Sequence, residues 1–138
     1  MCKDDIKMSI NESDIYFYRG FKGEWRLPTL LHGLFFSLPE NIGSSSLYNA
    51  MNVTSTNHSI YPQLNYTPWG STEVLLSATN DSICGVFNVT LSSNGAASSI
   101  YEVRVRNDKN MSEILKVCLN YTSEHISQQN FTECTLFA

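Results

Sequence analysis

The chain has 138 residues, of which 42% are hydrophobic and 12% aromatic, a composition that excludes a disordered protein and predicts one folded domain over residues 1–138. Charged residues make up only 16%, against about a quarter in typical globular proteins, and the formal net charge is −4. Because the sequence has no cluster of Lys and Arg, nucleic acid is excluded as the partner.

Alternation of apolar and polar residues with a period of two predicts an all-β fold of about eight strands. In the first half of the chain, the predicted strands are Asp14–Arg19, Thr29–Ser37 and Leu47–Val53. The second of them is a nearly continuous apolar run, which is typical of a strand buried on both faces. The preceding Asp4-Asp5 pair is interpreted as part of a solvated terminal segment. A long loop with two sequons is predicted over Thr54–Gly70.

In the second half, Asn94-Gly95 marks a β-hairpin. The segment Ser112–Leu119 has helical propensity, but its β-branched residues favour a strand. The predicted strands of this half are Thr72–Ala78, Ile83–Leu91, Ser99–Arg106, Glu113–Tyr121 and Phe131–Phe137.

The predicted glycosylation sites indicate which side of each strand points to solvent. A glycan on Asn88 or Asn120 must point to solvent, and successive side chains of a strand point to opposite sides of the sheet. The apolar residues at odd positions near Asn88 and Asn120 are then predicted to point inward, and Cys118 outward. One apolar and one polar face predict an antiparallel β-sandwich, galectin-like or immunoglobulin-like. Trp25 and Trp69 both precede Cys84, which argues against a true immunoglobulin domain.

Nine of the 13 asparagines open an Asn-x-Ser/Thr sequon, whereas the share of Ser and Thr would give about 2.6 by chance. The sequon excess predicts an extracellular glycoprotein, secreted through the endoplasmic reticulum or carried on a virion surface. Residues Met1 to Asp5 have no apolar signal region, so we expect a signal upstream and any membrane anchor outside this chain. The sequons are at Asn11, Asn52, Asn57, Asn65, Asn80, Asn88, Asn110, Asn120 and Asn130.

The sequence predicts a binding protein rather than an enzyme. It contains no Gly-x-Ser-x-Gly motif and no phosphate-binding glycine loop, and His32 lies in an apolar run, where a packed core histidine is expected. The four cysteines form no Cys-x-x-Cys motif, so neither a metal site nor a cofactor is predicted. In an extracellular protein they indicate two disulfides, with three possible connectivities, among Cys2, Cys84, Cys118 and Cys134.

Five short stretches of the chain are similar to a known family: Ile15–Tyr18, Leu30–Leu38, Asn52–Ser59, Ile114–Cys118 and Glu133–Phe137. Together they resemble the N-terminal domain of coronavirus spike proteins. The resemblance implies a galactose-lectin-like β-sandwich that binds a host sugar or a host protein receptor. It also implies a disulfide between Cys118 and Cys134 and a second one that joins Cys2 to the interior. We predict Cys84 as the partner of Cys2, although Cys84 comes earlier in the chain than the family pattern places it. The chain departs from the family by lacking a second cysteine shortly after Cys118.

The longest interval without a sequon, Ser13 to Asn52, contains the candidate receptor-binding residues. Arginine and aromatic residues are the usual anchors of interfaces, and Gly20 and Gly23 are predicted to bracket an exposed turn. For Trp25, the alternative to a receptor-binding role is a position in the core of the domain. The candidates are Arg19, Phe21, Lys22, Trp25 and Arg26.

Three hypotheses for function follow from the sequence. In the first, the domain attaches a viral envelope to a host cell-surface protein or glycan. In the second, it is an immune-evasion or immune-receptor-like ectodomain that binds a host surface protein. In the third, it is a shield domain without a ligand of its own. Each hypothesis is compatible with an oligomer, and each places membrane contact in segments outside this chain.

We predict that at least six of the nine sequons carry N-glycans when a eukaryotic cell secretes the chain, because their excess has no other evident cause. Asn65 is expected to be the poorest acceptor, since Pro68 follows its threonine. Intact mass before and after glycosidase treatment measures the occupancy, and a shift worth two glycans or fewer would contradict the prediction.

Overall fold

The computed structural model describes residues 3–21, 28–38, 48–56, 69–93, 96–106 and 111–125. The strands follow one another in the sheet in chain order, and every neighbouring pair is antiparallel. The all-β class predicted from the sequence is therefore confirmed. The elements are β1 (Lys3–Ile10), β2 (Asp14–Phe21), β3 (Thr29–Phe36), β4 (Ala50–Ser55), β5 (Gly70–Ala78), β6 (Cys84–Ser93), β7 (Ala96–Val105) and α1 (Met111–His125).

The strands β2 to β7 match strands predicted from the sequence, with ends that differ by a few residues. The hairpin prediction at Asn94-Gly95 is also confirmed, because β6 and β7 pair up to Ser93 and Ala96. The interpretation of Asp4-Asp5 as solvated agrees with the exposure of both residues, but the strand β1 that contains them was not predicted from the sequence. This strand is exposed along most of its length, so the burial pattern that marks other strands is absent from its sequence.

The predicted two-sheet sandwich with about eight strands is not found: the described residues form one curled, seven-stranded sheet. In a flat sheet β2 and β5 would lie three strand spacings apart, or about 14 Å. Yet Arg19 of β2 and Glu73 of β5 meet at 2.8 Å. The sheet therefore curls until one face encloses an interior. We call this concave side the inner face and the opposite side the outer face.

Apolar side chains from β2, β3 and β4 form the core on the inner face. Phe17, Leu31 and Val53 are almost completely buried, and Ile15, Met51 and Trp69 pack against them. Burying one such side chain is worth about 1.5–3 kcal/mol. The prediction that β3 is buried on both faces is wrong, because Leu34 on the outer face is 52% exposed.

The segment Glu113–Tyr121, predicted as a strand, is part of the helix α1. The apolar period along this segment is close to 3.6, since Ile114, Cys118 and Tyr121 recur at spacings of four and three residues. The predicted strand parity is consequently wrong as well. Val117, expected inside, is 59% exposed, whereas Cys118, expected outside, is 1% exposed.

The helix α1 packs on the outer face at the open end of the β6–β7 hairpin, where β6 begins and β7 ends. The Tyr121 hydroxyl hydrogen-bonds the Ser77 hydroxyl, and Cys118 is disulfide-bonded to Cys84 of β6. Val86, two residues along the same side of β6, is 1% exposed. This part of the sheet is thus covered on both sides, the inner face by the curl and the outer face by the helix.

The Cys84–Cys118 disulfide links residues 34 positions apart, with their Cα atoms 5.6 Å from each other. Both pairings expected from the resemblance, Cys2–Cys84 and Cys118–Cys134, are therefore wrong. The expectation placed Cys118 on a strand, whereas the helix turns its thiol toward the sheet. Cys2, Cys134 and the predicted strand Phe131–Phe137 lie outside the described residues.

Replacing both cysteines, in the Cys84→Ser/Cys118→Ser variant, should lower the free energy of unfolding by about 4 kcal/mol, because the bond closes a loop of this length in the unfolded chain. Urea unfolding of the secreted protein measures the loss. Peptide mapping without reduction should recover Cys84 linked to Cys118. A peptide that links either residue to Cys2 or Cys134 would contradict the assignment.

Candidate functional site

Six charged residues meet on the inner face, and we call them the charge network. They come from strands at both ends of the sheet, β1, β2, β5 and β7, and comprise three cations and three carboxylates. Their formal charges cancel, so the enclosed group carries no net charge. The members are Lys3, Asp5, Arg19, Glu73, Glu102 and Arg104.

The guanidinium of Arg19 is the centre of this network. Its Nε and Nη2 donate to the two carboxylate oxygens of Asp5, each at 2.7 Å, and its Nη1 donates to Glu73 Oε1 at 2.8 Å. The planar group also lies 5.1 Å from the ring centres of both Phe17 and Trp69. Burial alone would lower the pKa of Arg19, but the hydrogen bonds to Asp5 and Glu73 outweigh it and raise the pKa above its ordinary value.

Glu73 is the fully buried anion of the network. Its carboxylate accepts hydrogen bonds from Arg19 and from the Ser71 hydroxyl, the latter at 3.0 Å, and forms an ion pair with Arg104 at 2.5 Å. Ser71 in turn accepts a hydrogen bond from the Trp69 indole at 2.9 Å. Burial would raise the pKa of Glu73, but Arg104 and the hydrogen bond from Arg19 lower it to about 2.

The remaining members connect β7 to β1. Arg104 lies 4.2 Å above the Phe87 ring and pairs with Glu102 at 2.9 Å, and Glu102 pairs with Lys3 at 2.6 Å. Burial, together with the nearby charges of Arg104 and Arg19, lowers the pKa of Lys3. Each carboxylate of the network is thus held by a cation of the same chain. This arrangement stabilises the curl of the sheet.

The network corrects the predicted receptor-binding set. Arg19 was expected at the surface, but its residue is 1% exposed, so that expectation is wrong. The predicted turn does not begin at Gly20, because β2 continues to Phe21, which is half-buried with its ring 5.5 Å from that of Trp69. Lys22, Trp25 and Arg26 lie outside the described residues. The network is difficult to predict from the sequence, because the partners of Arg19 lie 14 and 54 positions away along the chain.

Five predicted glycosylation sites lie in the part of the chain that the structure describes. Asn11 and Asn80 are exposed in the turns after β1 and β5, and Asn120 is exposed on α1. Asn52 of β4 and Asn88 of β6 lie on the outer face, the first exposed and the second half-buried. The other four sequons, at Asn57, Asn65, Asn110 and Asn130, lie outside the described residues, and glycan occupancy stays a prediction throughout.

At two of these sites the side-chain amide oxygen accepts the local hydrogen bonds, whereas a glycan is attached through the amide nitrogen. Asn11 accepts hydrogen bonds through its Oδ1 from the backbone nitrogens of Ser13 and Asp14, at 2.8 and 2.9 Å. Asn52 accepts one through the same atom from the Thr72 hydroxyl at 3.0 Å. Both positions are therefore compatible with an attached sugar.

A different surface lies on the outer face of β1, β2 and β3, which contain no sequon. We call it the bare face. Three of its apolar side chains are well exposed: Ile6 at 62%, Leu34 at 52% and Tyr16 at 37%. It ends toward Asn11 in the β1–β2 turn and at Asn52, which lies directly opposite Leu34. The bare face consists of Ile6, Tyr16, Tyr18, Leu30, His32 and Leu34.

His32 occupies the middle of the bare face rather than the core, so the prediction of a packed core histidine is wrong. Its ring stacks on Tyr16 with ring centres 4.4 Å apart, and its Nε2 lies 2.8 Å from Asp14 Oδ2. The stack fixes both rings parallel to each other beside a carboxylate. Such a rigid aromatic pair with a polar end is suited to contact with a partner, because little side-chain entropy remains to be lost.

A comparison of the chain with protein-family models finds no match, and a comparison with curated proteins finds none either. Among the described residues, no helix has both the length and the apolar character needed to span a bilayer.

Replacing Glu73 with Gln should lower the free energy of unfolding at neutral pH by about 3 kcal/mol, because Arg19 and Arg104 would lose their buried counter-charge. The pKa of Glu73 falls from 4.5 to about 2 on folding, so its contribution is full above pH 4.5 and is lost as the pH falls toward 2. The loss in the Glu73→Gln variant should therefore shrink over that range. Urea unfolding at a series of pH values measures it.

The exposed Glu12 provides the control for this measurement, because the same chemical change at Glu12→Gln removes no buried ion pair. Its stability should match the parent protein at neutral pH. If Glu73→Gln were equally stable at neutral pH, the charge network would not hold the sheet.

Proposed function

We propose that this domain is an N-glycosylated ectodomain of a viral surface glycoprotein and that it attaches to a receptor on the host cell through the bare face. The distribution of sequons around this face carries the proposal. Outer-face sequons occur on β4 and β6, and others lie in turns and on α1, whereas β1 to β3 have none. Glycans at those positions would close most of the outer surface to large partners and leave the bare face open.

The chemistry of the bare face supports an interface. Exposed Ile6 and Leu34 flank the Tyr16–His32 stack, so apolar area and hydrogen-bonding groups occur side by side. Aromatic side chains are enriched in the centres of protein interfaces, and exposed apolar patches on soluble domains commonly mark interaction sites. The resemblance to coronavirus spike N-terminal domains supports the same role, since two of its stretches fall on β2 and β3.

A glycan placed on the bare face provides a direct test. The double substitution His32→Asn with Leu34→Thr creates an Asn-Gly-Thr sequon in the middle of this face. We expect the glycosylated variant to bind receptor-bearing cells at least tenfold more weakly than the parent, because the sugar blocks the approach of the partner. Flow cytometry with the secreted protein measures binding.

The matched control is His32→Asn with Leu34→Ala, which loses the same stack and the same leucine but cannot be glycosylated. It should bind more strongly than the glycan-bearing variant and have a similar melting temperature. Equal binding by the two variants would place the receptor site elsewhere. Pretreatment of the cells with sialidase or galactosidase shows whether the receptor is a glycan, and binding confined to a leukocyte surface protein would instead favour the immune-evasion hypothesis.

A further inference from the structure

The strand β1 forms one edge of the sheet, and its residues from Asp4 to Ile10 are all exposed. Ile6, Met8 and Ile10 have more than half of their surface open to solvent. An edge strand carries a row of backbone donors and acceptors that can pair with another strand. The other edge strand, β7, contacts α1, and its residues 102 to 105 are half-buried. Of the two edges, β1 is therefore the more accessible one.

The charge pattern of β1 is complementary to itself. Its sequence is Lys-Asp-Asp-Ile-Lys-Met-Ser-Ile, and a two-fold axis would place two copies antiparallel. On an edge strand, the backbone N–H and C=O groups of every second residue point away from the sheet. When two copies of β1 pair, an odd-numbered residue can therefore lie opposite only an odd-numbered residue, and an even-numbered residue opposite only an even-numbered one. Near the middle of the strand this allows three symmetric registers, in which Asp5, Ile6 or Lys7 lies opposite its own copy.

Electrostatics selects one of these registers. With Asp5 on the axis, two aspartates oppose each other and Lys3 opposes Lys7. With Lys7 on the axis, two lysines oppose each other. With Ile6 on the axis, Asp5 opposes Lys7 of the second copy twice, and the two isoleucines meet between these pairs. Opposite charges directly across a ladder are favourable, and like charges are unfavourable.

We propose that this chain forms a two-fold symmetric dimer in which β1 pairs antiparallel with β1 of a second copy, with Ile6 on the axis. The ladder extends from Asp4 to Met8, because the register of β1 against β2 shifts between Lys7 and Ser9. Pairing covers the exposed Ile6 and Met8 in part and satisfies backbone groups of the edge. It also joins the two sheets into one, so that the two bare faces become continuous across the axis.

The inference does not rest on the function proposed above. It depends only on the exposure of β1 and on the order of its charges. Asp5 serves both the charge network and the dimer: its side chain binds Arg19 and is still 28% exposed, so it can accept Lys7 of the second copy from the solvent side.

Two experiments on the secreted, glycosylated chain test this dimer. Sedimentation equilibrium over a range of protein concentrations should show a monomer–dimer equilibrium. The Lys7→Glu variant places like charges opposite each other and should raise the dimer dissociation constant at least tenfold. The control Lys116→Glu makes the same charge change on the exposed side of α1 and should leave the dissociation constant unchanged.

Cysteine substitutions test the register. A disulfide requires Cα atoms about 4.4–6.8 Å apart, a distance that residues meet only when they lie directly opposite each other. Mild oxidation should therefore link Ile6→Cys into a covalent dimer and leave Lys7→Cys mainly unlinked. A chain that stays monomeric at all concentrations would overturn the proposal, as would dimerisation unaffected by Lys7→Glu. So would oligomers that grow without limit, which indicate head-to-tail pairing of β1 with β7, or efficient linking of Lys7→Cys alone.

Discussion

The ion pair between Arg19 and Glu73 is the contact on which the shape of this domain depends. It joins strands that would be about 14 Å apart in a flat sheet, so the sheet must curl for the two charges to meet. Arg104 extends the contact to β7, and Asp5 extends it to β1. The core of Phe17, Leu31 and Val53, the enclosed inner face and the convex outer face all follow from this curvature.

Buried ion pairs are costly, because two charges lose their hydration, and a well-packed apolar pair would often be as stable. In this domain the cost is reduced because other side chains contact the Arg19 guanidinium and the Glu73 carboxylate from several sides. Phe17 and Trp69 lie against the guanidinium, and Ser71 supplies a further donor to Glu73. An apolar contact would tolerate sliding between strands, whereas bidentate geometry permits one alignment. We interpret the network as the element that specifies a single curvature.

The sequence predicted what local patterns encode. Alternation located β2 to β7, and Asn94-Gly95 located a hairpin, because both depend on neighbouring residues. It failed for β1, whose exposed edge leaves no burial pattern, and for α1, where Ile114, Cys118 and Tyr121 follow a period of 3.6 that also resembles a strand over short windows. The charge network could not be predicted, because only the curvature of the sheet brings Arg19 and Glu73 into contact. The bare face was missed because its residues come from three different strands, and the sequence does not show that these strands are neighbours.

The charge network also imposes an order on assembly. Arg19 and Asp5 belong to one hairpin and are 14 residues apart, whereas Glu73 follows Arg19 by 54 residues. A chain without Glu73 in place offers the Arg19 guanidinium only one of its two carboxylate partners. Contacts between such distant parts of a chain slow folding. Asn88 is half-buried in the folded sheet, so its side chain is more accessible before the sheet curls than afterwards.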